Sequence, residues 1–556
     1  MLRTKLTSSL ENCFVDANIN DYPALSRLSA LKNERISFQL ICTFDSPEDL
    51  IRYWYNIKLT GTLAKYATVR EVRSVPVTLA VPLAIRESVF DNYLRTEPGL
   101  YPDLIMPLRY NDRISAVRGL LSTAWIEIDL REHADEIEAG EAELAVELIC
   151  GDVAATETLT IDIIDALLPP QETTVTQWFH CDCLANYYNC EVWSEEHWRI
   201  VENFARTAKS NGINLLLTPL LTPSLDTAVG GERTTNQLVK ITKTGDDYEF
   251  DFSLVDRWVD MCDSIGIKYF EISHLFTQWG AEHAPKVMAT VDGEYKRIFG
   301  WETDAISDEY IGFVRKLLVA FIDHMKTHGN DKRCYFHISD EPNRDHLEHY
   351  LALKNKLSDI LEGYVVMDAL SNYEFYSMGA TQCPIPSSNH IQPFIDNNTP
   401  NLWVYYCIGQ WKDVSNRYLS MPSWRNRSIG MQMFKYDVVG FLQWGYNFYN
   451  TQFSYDAINP YLDLNGDSWS PAGDTFSVYP AADGTAYESL RIIVFYEALQ
   501  DIRAMKLAAK LCGKDTVVKA IEDALGKTVA FDVCARSADE MLRVRQAVND
   551  LIKSNI

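Results

Sequence analysis

The chain has 556 residues, 47% hydrophobic and 23% charged, which places it among folded globular proteins and predicts more than one domain. Its 77 acidic residues against 51 basic ones give a formal net charge of -26, a field that repels phosphate backbones and anionic bilayers and so excludes nucleic acid and membrane surfaces as partners. No window approaches the roughly 18 apolar residues of a membrane span, and the opening MLRTKLTSSLENCFVD lacks the apolar run of a signal peptide. The 12 cysteines, several of them inside apolar runs (Cys42, Cys150, Cys407), read as reduced core thiols. These features predict a cytoplasmic protein, and a homo-oligomer is compatible with them.

From about residue 35 to 165 the chain runs as short alternating segments: ISFQLICTF, VRSVPVTLAV, TAWIEIDL, AELAVELIC and ETLTIDII. That pattern predicts an antiparallel β-sandwich, with a hairpin turning at Gly151 and Asp152. Pro169 and Pro170 cannot continue a ladder and mark a linker. The rhythm then changes. Apolar runs (TQWFHCDCL, INLLLTPL, IKYFEISH, RCYFHISD, YVVMDAL, LWVYYCI, VVGFLQWG) alternate with amphipathic stretches, several of which close on a glycine: Gly212, Gly266, Gly329 and Gly363. Strand and helix in this alternation predict a (β/α)8 TIM barrel, its eighth strand drawn from TFSVYP ahead of the helix SLRIIVFYEALQDIRAMKLAAKL. The expected division is a sandwich over residues 1–168, a barrel over 171–510 and a helical segment over 511–556.

In such a barrel the chemistry sits where strands end. RCYFHISDEPN closes on Asp340 and Glu341, followed by Pro342, which terminates the ladder. Two carboxylates side by side cannot both ionise easily, so one keeps its proton and serves as a general acid, as cleavage of a glycosidic bond requires. The bland alternative is an acidic pair opening the next helix. A retaining glycosidase of the ordinary kind needs a second carboxylate about 5–5.5 Å away, and Glu271 in YFEISH is the candidate for that role. Adjacent carboxylates suit a different arrangement, in which the substrate's own 2-acetamido oxygen attacks, Asp340 holds the amide nitrogen and Glu341 protonates the leaving oxygen.

Aromatic residues at strand ends suit a sugar's apolar face: Tyr405, Tyr406 and Trp411 after one run, Trp444, Tyr446 and the polar Asn447 after another. His180 and Asp182 in HCDC, His274 and His337 are substrate-contact candidates, weighed against hydrogen-bonded histidines inside the barrel. Strand alternation would send His180 and Asp182 to one face and Cys181 and Cys183 to the other, which argues against a metal site. Without a Walker loop or a GxGxxG after a strand, no nucleotide cofactor is expected.

The motifs WFHCDCLANYY, HISDEPN, LWVYYCIG, GFLQWGYNFYN and GDTFSVYP with ESLRIIVFYEALQD, taken in order, resemble glycoside hydrolase family 123 and the related domain of unknown function that shares its catalytic module. The resemblance covers nearly the whole chain and places these motifs on the first, fourth, sixth and seventh barrel strands and the closing helix. It implies a β-N-acetylgalactosaminidase working by substrate assistance. By the same resemblance Asp340 orients the acetamido group, Glu341 is acid and then base, Trp444 floors the pocket, Tyr405 or Tyr406 touches the acetamido oxygen and Arg491 binds a hydroxyl. The competing readings are a two-carboxylate glycosidase using Glu271 with Glu341, and a glycan-binding protein without turnover.

Overall fold

In the computed structural model, which describes residues 2–44, 52–82, 91–109, 112–151, 153–278, 280–341 and 346–556, the N-terminal strands form two five-stranded sheets. One runs Leu2–Ser8, Arg35–Phe44, Ser122–Asp129, Ala67–Val77, Gly99–Pro107, antiparallel throughout. The other runs Arg27–Leu31, Val153–Ile164, Gly140–Cys150, Arg52–Thr60, Arg113–Val117, with one parallel pair at its edge. The alternation read in AELAVELIC is realised in space: Leu144, Val146 and Leu148 enter the core shared by the two sheets, while Glu143 and Glu147 stay outside it. Val153 pairs with Cys150 to close the expected hairpin, whose turn residue Asp152 lies outside the described residues.

The first sheet is buried on both faces. Ala124, Ile126 and Ile128 join the sandwich core, whereas Trp125 between them turns into the cluster that fills the remainder of the molecule. A polar tie reinforces this apolar contact: Arg491 donates from Nε and Nη2 to the two oxygens of Asp103, at 2.9 and 2.8 Å.

Beyond the linker come parallel strands β1 (Thr174–Gln177), β2 (Leu215–Thr218), β3 (Tyr269–Ile272), β4 (Cys334–Phe336), β5 (Val365–Ala369), β6 (Cys383–Ile385), β7 (Trp403–Tyr405) and β8 (Gly440–Gln443). They form two sheets, ordered β2-β3-β4-β5-β6 and β1-β8-β7. Where the sheets meet, Asn214 N donates to Val175 O (3.1 Å) beside β1 and β2, and Tyr405 N donates to Pro386 O (3.1 Å) beside β6 and β7. Helices between the strands end as the glycines predict. Glu195–Ser210, Ser253–Ile265, Asp308–Thr327 and Leu347–Leu361 are followed by Gly212, Gly266, Gly329 and Gly363 at φ of 84, 85, 70 and 79°, the left-handed region where a side chain is penalised.

Three expectations are corrected. TFSVYP does not supply a parallel strand: Val478–Pro480 pairs antiparallel with Ala486–Glu488 in a separate ribbon. The remaining parallel strand is Cys383–Ile385, three residues long with Pro384 at its centre, too short for any periodicity to register. LWVYYCIG and GFLQWGYNFYN therefore carry the seventh and eighth parallel strands, not the sixth and seventh. Finally, residues Cys181–Tyr188 are helical, so HCDC has no strand alternation.

The C-terminal helices Leu490–Cys512, Lys514–Leu525 and Ala538–Ser554 share an apolar cluster with Leu10, Leu31 and Ile164 of the N-terminal part and with Met431 and Phe434. Among the described residues no helix is long and apolar enough to cross a membrane. All 12 cysteines are free thiols.

Removing one partner of a buried ion pair strands the other charge, at about 3–5 kcal/mol. Asp103→Ala should lower the chemical denaturation midpoint by that equivalent; an unchanged midpoint would mean that the Arg491 tie contributes nothing.

Candidate active site

β4 ends at Phe336, and its continuation is gripped from both sides. The Ile338 amide donates to Asp368 of β5 (3.2 Å), and Ser339 Oγ donates to the Thr277 carbonyl past β3 (2.8 Å). Asp340 and Glu341 follow, Asp340 half-buried and Glu341 exposed. On a regular strand neighbouring side chains point to opposite faces. Glu341, however, adopts a left-handed φ of 43°, unusual for a residue with a side chain. That turn sets Glu341 Oε1 2.5 Å from the Tyr405 hydroxyl of β7, which donates to it. Pro342 lies outside the described residues.

Glu341 and Tyr405 open onto a cavity of about 880 Å³, walled also by Tyr373, Glu374, His390 and Gln410. The space is large enough for a sugar and the group attached to it.

Electrostatics reinforce the geometry. Burial, then the charges of Glu341 and Asp226, hold the Asp340 carboxyl well above the ordinary range, with His337 pulling the other way. Asp226, in the loop after β2, is pushed up to about 7 by burial, with Arg233 opposing and Glu341 and Asp474 adding to the rise. Asp474 is pushed up to about 6 by burial, partly offset by Arg417 and by a hydrogen bond from Trp444 Nε1 (3.1 Å). Burial, then the charge on Glu341, raises the Tyr405 hydroxyl well above its usual value. A mouth this rich in carboxylates holds protons near neutral pH, the condition for general acid chemistry.

The other expected site residues fall into distinct groups. Trp444, 8% exposed, closes β8 between Phe448 and Trp469 and belongs to the mouth through Asp474. His180, Asp182 and Asn447 meet beneath it in a buried lattice. Arg233 donates to both Asp182 oxygens (2.8 Å each) and lies 3.1 Å from His180 Nδ1, while His180 N donates to Asn447 Oδ1 (2.8 Å) and His180 Nε2 lies 3.0 Å from the Trp444 carbonyl. These three position β8 and its tryptophan.

Tyr406 turns away from the mouth to donate to Asn426 (3.0 Å), and Tyr446 donates to the Phe204 carbonyl (2.8 Å). Trp411 is fixed through its carbonyl by Tyr93 and Arg425, with its side chain half-buried. Arg491 spends Nε and Nη2 on Asp103 and Nη1 on the Gly473 and Phe476 carbonyls, so the structure makes it a brace between the sheets and the loop carrying Asp474. Glu271, the alternative nucleophile, is fully buried and accepts from Thr176 Oγ1 and Trp178 Nε1 while facing His337; it does not reach the cavity. His274 is buried against His337, ring centroids 4.1 Å apart.

Residues 178–508, more than half of the chain, match the catalytic domain of glycoside hydrolase 123. The chain belongs to the glycoside hydrolase 123 family. A family 123 glycoside hydrolase from Clostridium perfringens, described for glycolipid glycan hydrolysis, superposes with a TM-score of 0.74 at 14% identity, over 100% of this chain and 98% of that one. At that identity the likeness speaks for the fold. β-Glucuronidase 3 of Bacteroides uniformis (TM-score 0.28, 11% identity, 90% of this chain and 51% of that one) and a Parabacteroides merdae β-glucuronidase (0.31, 11%, 89% and 55%) are too distant in shape to bear on it. No curated protein matches the chain.

For this family 123 protein, sequence reading missed Asp226, Asp474, Tyr373, Glu374 and His390. Asp226, Asp474 and His390 lie in loops, and Tyr373 and Glu374 open the five-residue helix Tyr373–Ser377, all too short or irregular for a periodicity to register.

Asp474 offers a direct check of the burial that raises these carboxyls. A carboxyl whose folded-state pKa is raised binds extra protons in the folded protein, so its stabilisation is lost as pH rises from the unfolded value of about 4 towards 6. Relative to Asp474→Asn, the native protein should lose about 1.4 kcal/mol of stability per pH unit across that window. Parallel pH profiles would show that Asp474 has an ordinary pKa.

Proposed function

We propose that this protein removes a terminal β-linked N-acetylhexosamine, N-acetylgalactosamine favoured, by substrate-assisted hydrolysis with retention. In this reading the eight parallel strands make a (β/α)8 barrel over residues 171–510, flanked by a sandwich over 1–168 and a helical segment over 511–556, and the site lies at the strands' C-terminal ends. The observation that carries the proposal is the pairing of Asp340 with a cavity-lining Glu341 bound by Tyr405 at 2.5 Å, while Glu271 is sealed off by Thr176, Trp178 and His337. A two-carboxylate mechanism would need Glu271 at the sugar.

In this reading Asp340 and Glu341 enter the reaction with one proton between them. A substrate amide N–H donating to Asp340 favours the anion there and leaves the proton on Glu341. The acetamido oxygen then attacks the anomeric carbon, the glycosidic C–O bond breaks, and Glu341 gives its proton to the departing oxygen. Asp340 opposes the positive charge of the resulting oxazolinium ring. Glu341, now a carboxylate steadied by the Tyr405 hydroxyl, takes a proton from water as that water attacks the same carbon and reopens the ring. The two inversions leave the β configuration. Aromatic Trp444 suits the floor of the sugar site and Tyr373 the group beyond it. The hydrolysis of glycolipid glycans by the Clostridium perfringens relative is in keeping with a glycan substrate.

A panel of 4-nitrophenyl glycosides tests this. Turnover should require the N-acetyl group, and Asp340→Asn should lower kcat/KM by about 10²–10⁴-fold. Glu341→Gln should lose that much on poor leaving groups and far less on activated aryl ones. Equal activity on plain β-galactosides, or equal loss of Glu341→Gln on both leaving-group classes, would overturn the assignment.

A further inference from the structure

Directly behind Asp340 lies a polar chain with no contact to the cavity. Glu271 Oε1 sits 2.8 Å from His337 Nε2, and Asp368 Oδ1 sits 3.1 Å from His337 Nδ1. His337, Glu271 and Asp368 are all essentially without solvent exposure.

A neutral imidazole has one N–H, yet both of its nitrogens here face carboxylate oxygens. The second proton must sit on the ring or on a carboxyl group, and the surroundings decide between them. Glu271 accepts from Trp178 Nε1 (2.7 Å) on one oxygen and from Thr176 on the other. Asp368 accepts from Tyr350 and from the Ile338 amide (3.2 and 3.3 Å). With donors at both oxygens, the hydrogen bonds favour the anionic form of each carboxylate, and this draws the proton to His337.

The electrostatics of His337 point the same way. Burial pushes the imidazole down, but hydrogen bonds to Asp368 and Glu271 and their charges outweigh it and hold His337 at about 9. Burial pushes Asp368 up, with His337 and Tyr350 pulling it back. His274, stacked on His337 at 4.1 Å with neither ring nitrogen hydrogen-bonded, is driven well below its usual value by burial and by the neighbouring cation, so it stays neutral. His274, His337 and Asp368 bring donor atoms within 4.8 Å of one another, but both His337 nitrogens are already taken by carboxylates, which disfavours a metal there.

We propose that His337 is a buried imidazolium, fixed by Glu271 and Asp368, that eases ionisation of Asp340 when the substrate's acetamido group binds it. It is a positioning residue acting through charge, three residues before Asp340 on the same chain segment. This rests on the substrate-assisted reading above. Burial, then Glu341, Asp226 and Asp368, favour protonated Asp340, and among the described residues His337 opposes them. A protonated Asp340 could not balance the oxazolinium charge.

The test compares kcat/KM against pH on 4-nitrophenyl N-acetyl-β-galactosaminide for wild type, His337→Gln and Glu271→Gln, each also in an Asp340→Asn background. Removing the cation raises the Asp340 pKa. The acid limb should therefore move to higher pH by about one unit, a roughly tenfold loss on that limb, with a few-fold change on the alkaline side. Glu271→Gln should shift it the same way by less, and both shifts should vanish in the Asp340→Asn background. Labelling the 11 histidines with ¹⁵N supplies a readout independent of turnover: one histidine should keep imidazolium shifts at pH 7.5 and lose them in His337→Gln.

An unmoved acid limb in both variants, neutral shifts for His337, or a stoichiometric metal lost on substitution would overturn the proposal. If Asp340→Asn and Glu341→Gln are as active as wild type, it is the substrate-assisted reading that fails. If those two lose activity while the acid limb stays put, only the imidazolium proposal does.

Discussion

Burial of carboxyl groups close to one another, with their mutual repulsion added, governs this site. Burial raises the Asp340, Asp226 and Asp474 carboxyls, and the charges of Glu341 and Asp226 add to the rise at Asp340, those of Glu341 and Asp474 to the rise at Asp226. Among the described residues, the cations Arg233 and Arg417 are already committed. Arg233 is spent on Asp182, and Arg417 donates to Gln177 and to the Gly445 and Asp474 carbonyls. What remains is a cluster whose raised carboxyls favour holding protons towards neutral pH.

Holding like charges together costs free energy, and the rest of the fold supplies the restraint. β4 is pinned by Asp368 and Ser339 just before Asp340. The aromatic run after β8 is pinned by the His180–Asn447 exchange within it. The Asp474 loop is clamped by Arg491, which is itself anchored to Asp103 in the N-terminal sheet. The sandwich thus reaches the chemistry through two residues, and its covering sheet is buried on both faces by Trp125. The C-terminal helices extend the same logic, with Arg427 and Arg545 sharing Asp501 and Arg545 reaching back to Glu34.

Much of this was legible in the sequence because it is local. Glycine at a helix C-terminus, alternation along a sandwich strand and an acidic pair closing an apolar run each follow from a few consecutive residues. What was not legible depends on partners far along the chain. Arg491 looks like a ligand until Asp103, nearly four hundred residues earlier, takes it; Glu271 looks like a nucleophile until Trp178, Thr176 and His337 enclose it. Cys383–Ile385 is held in the ladder by its neighbours on both sides, not by its own propensity. Asp226 was missed because a loop has no period.

Calorimetric titration with the thiazoline of N-acetylgalactosamine, a stable likeness of the bicyclic oxazolinium, addresses the central claim most directly. Wild type should bind it orders of magnitude more tightly than N-acetylgalactosamine, and Asp340→Ala should abolish that preference. Equal affinity for the two sugars, or a preference that survives Asp340→Ala, would contradict an acetamido nucleophile guided by Asp340.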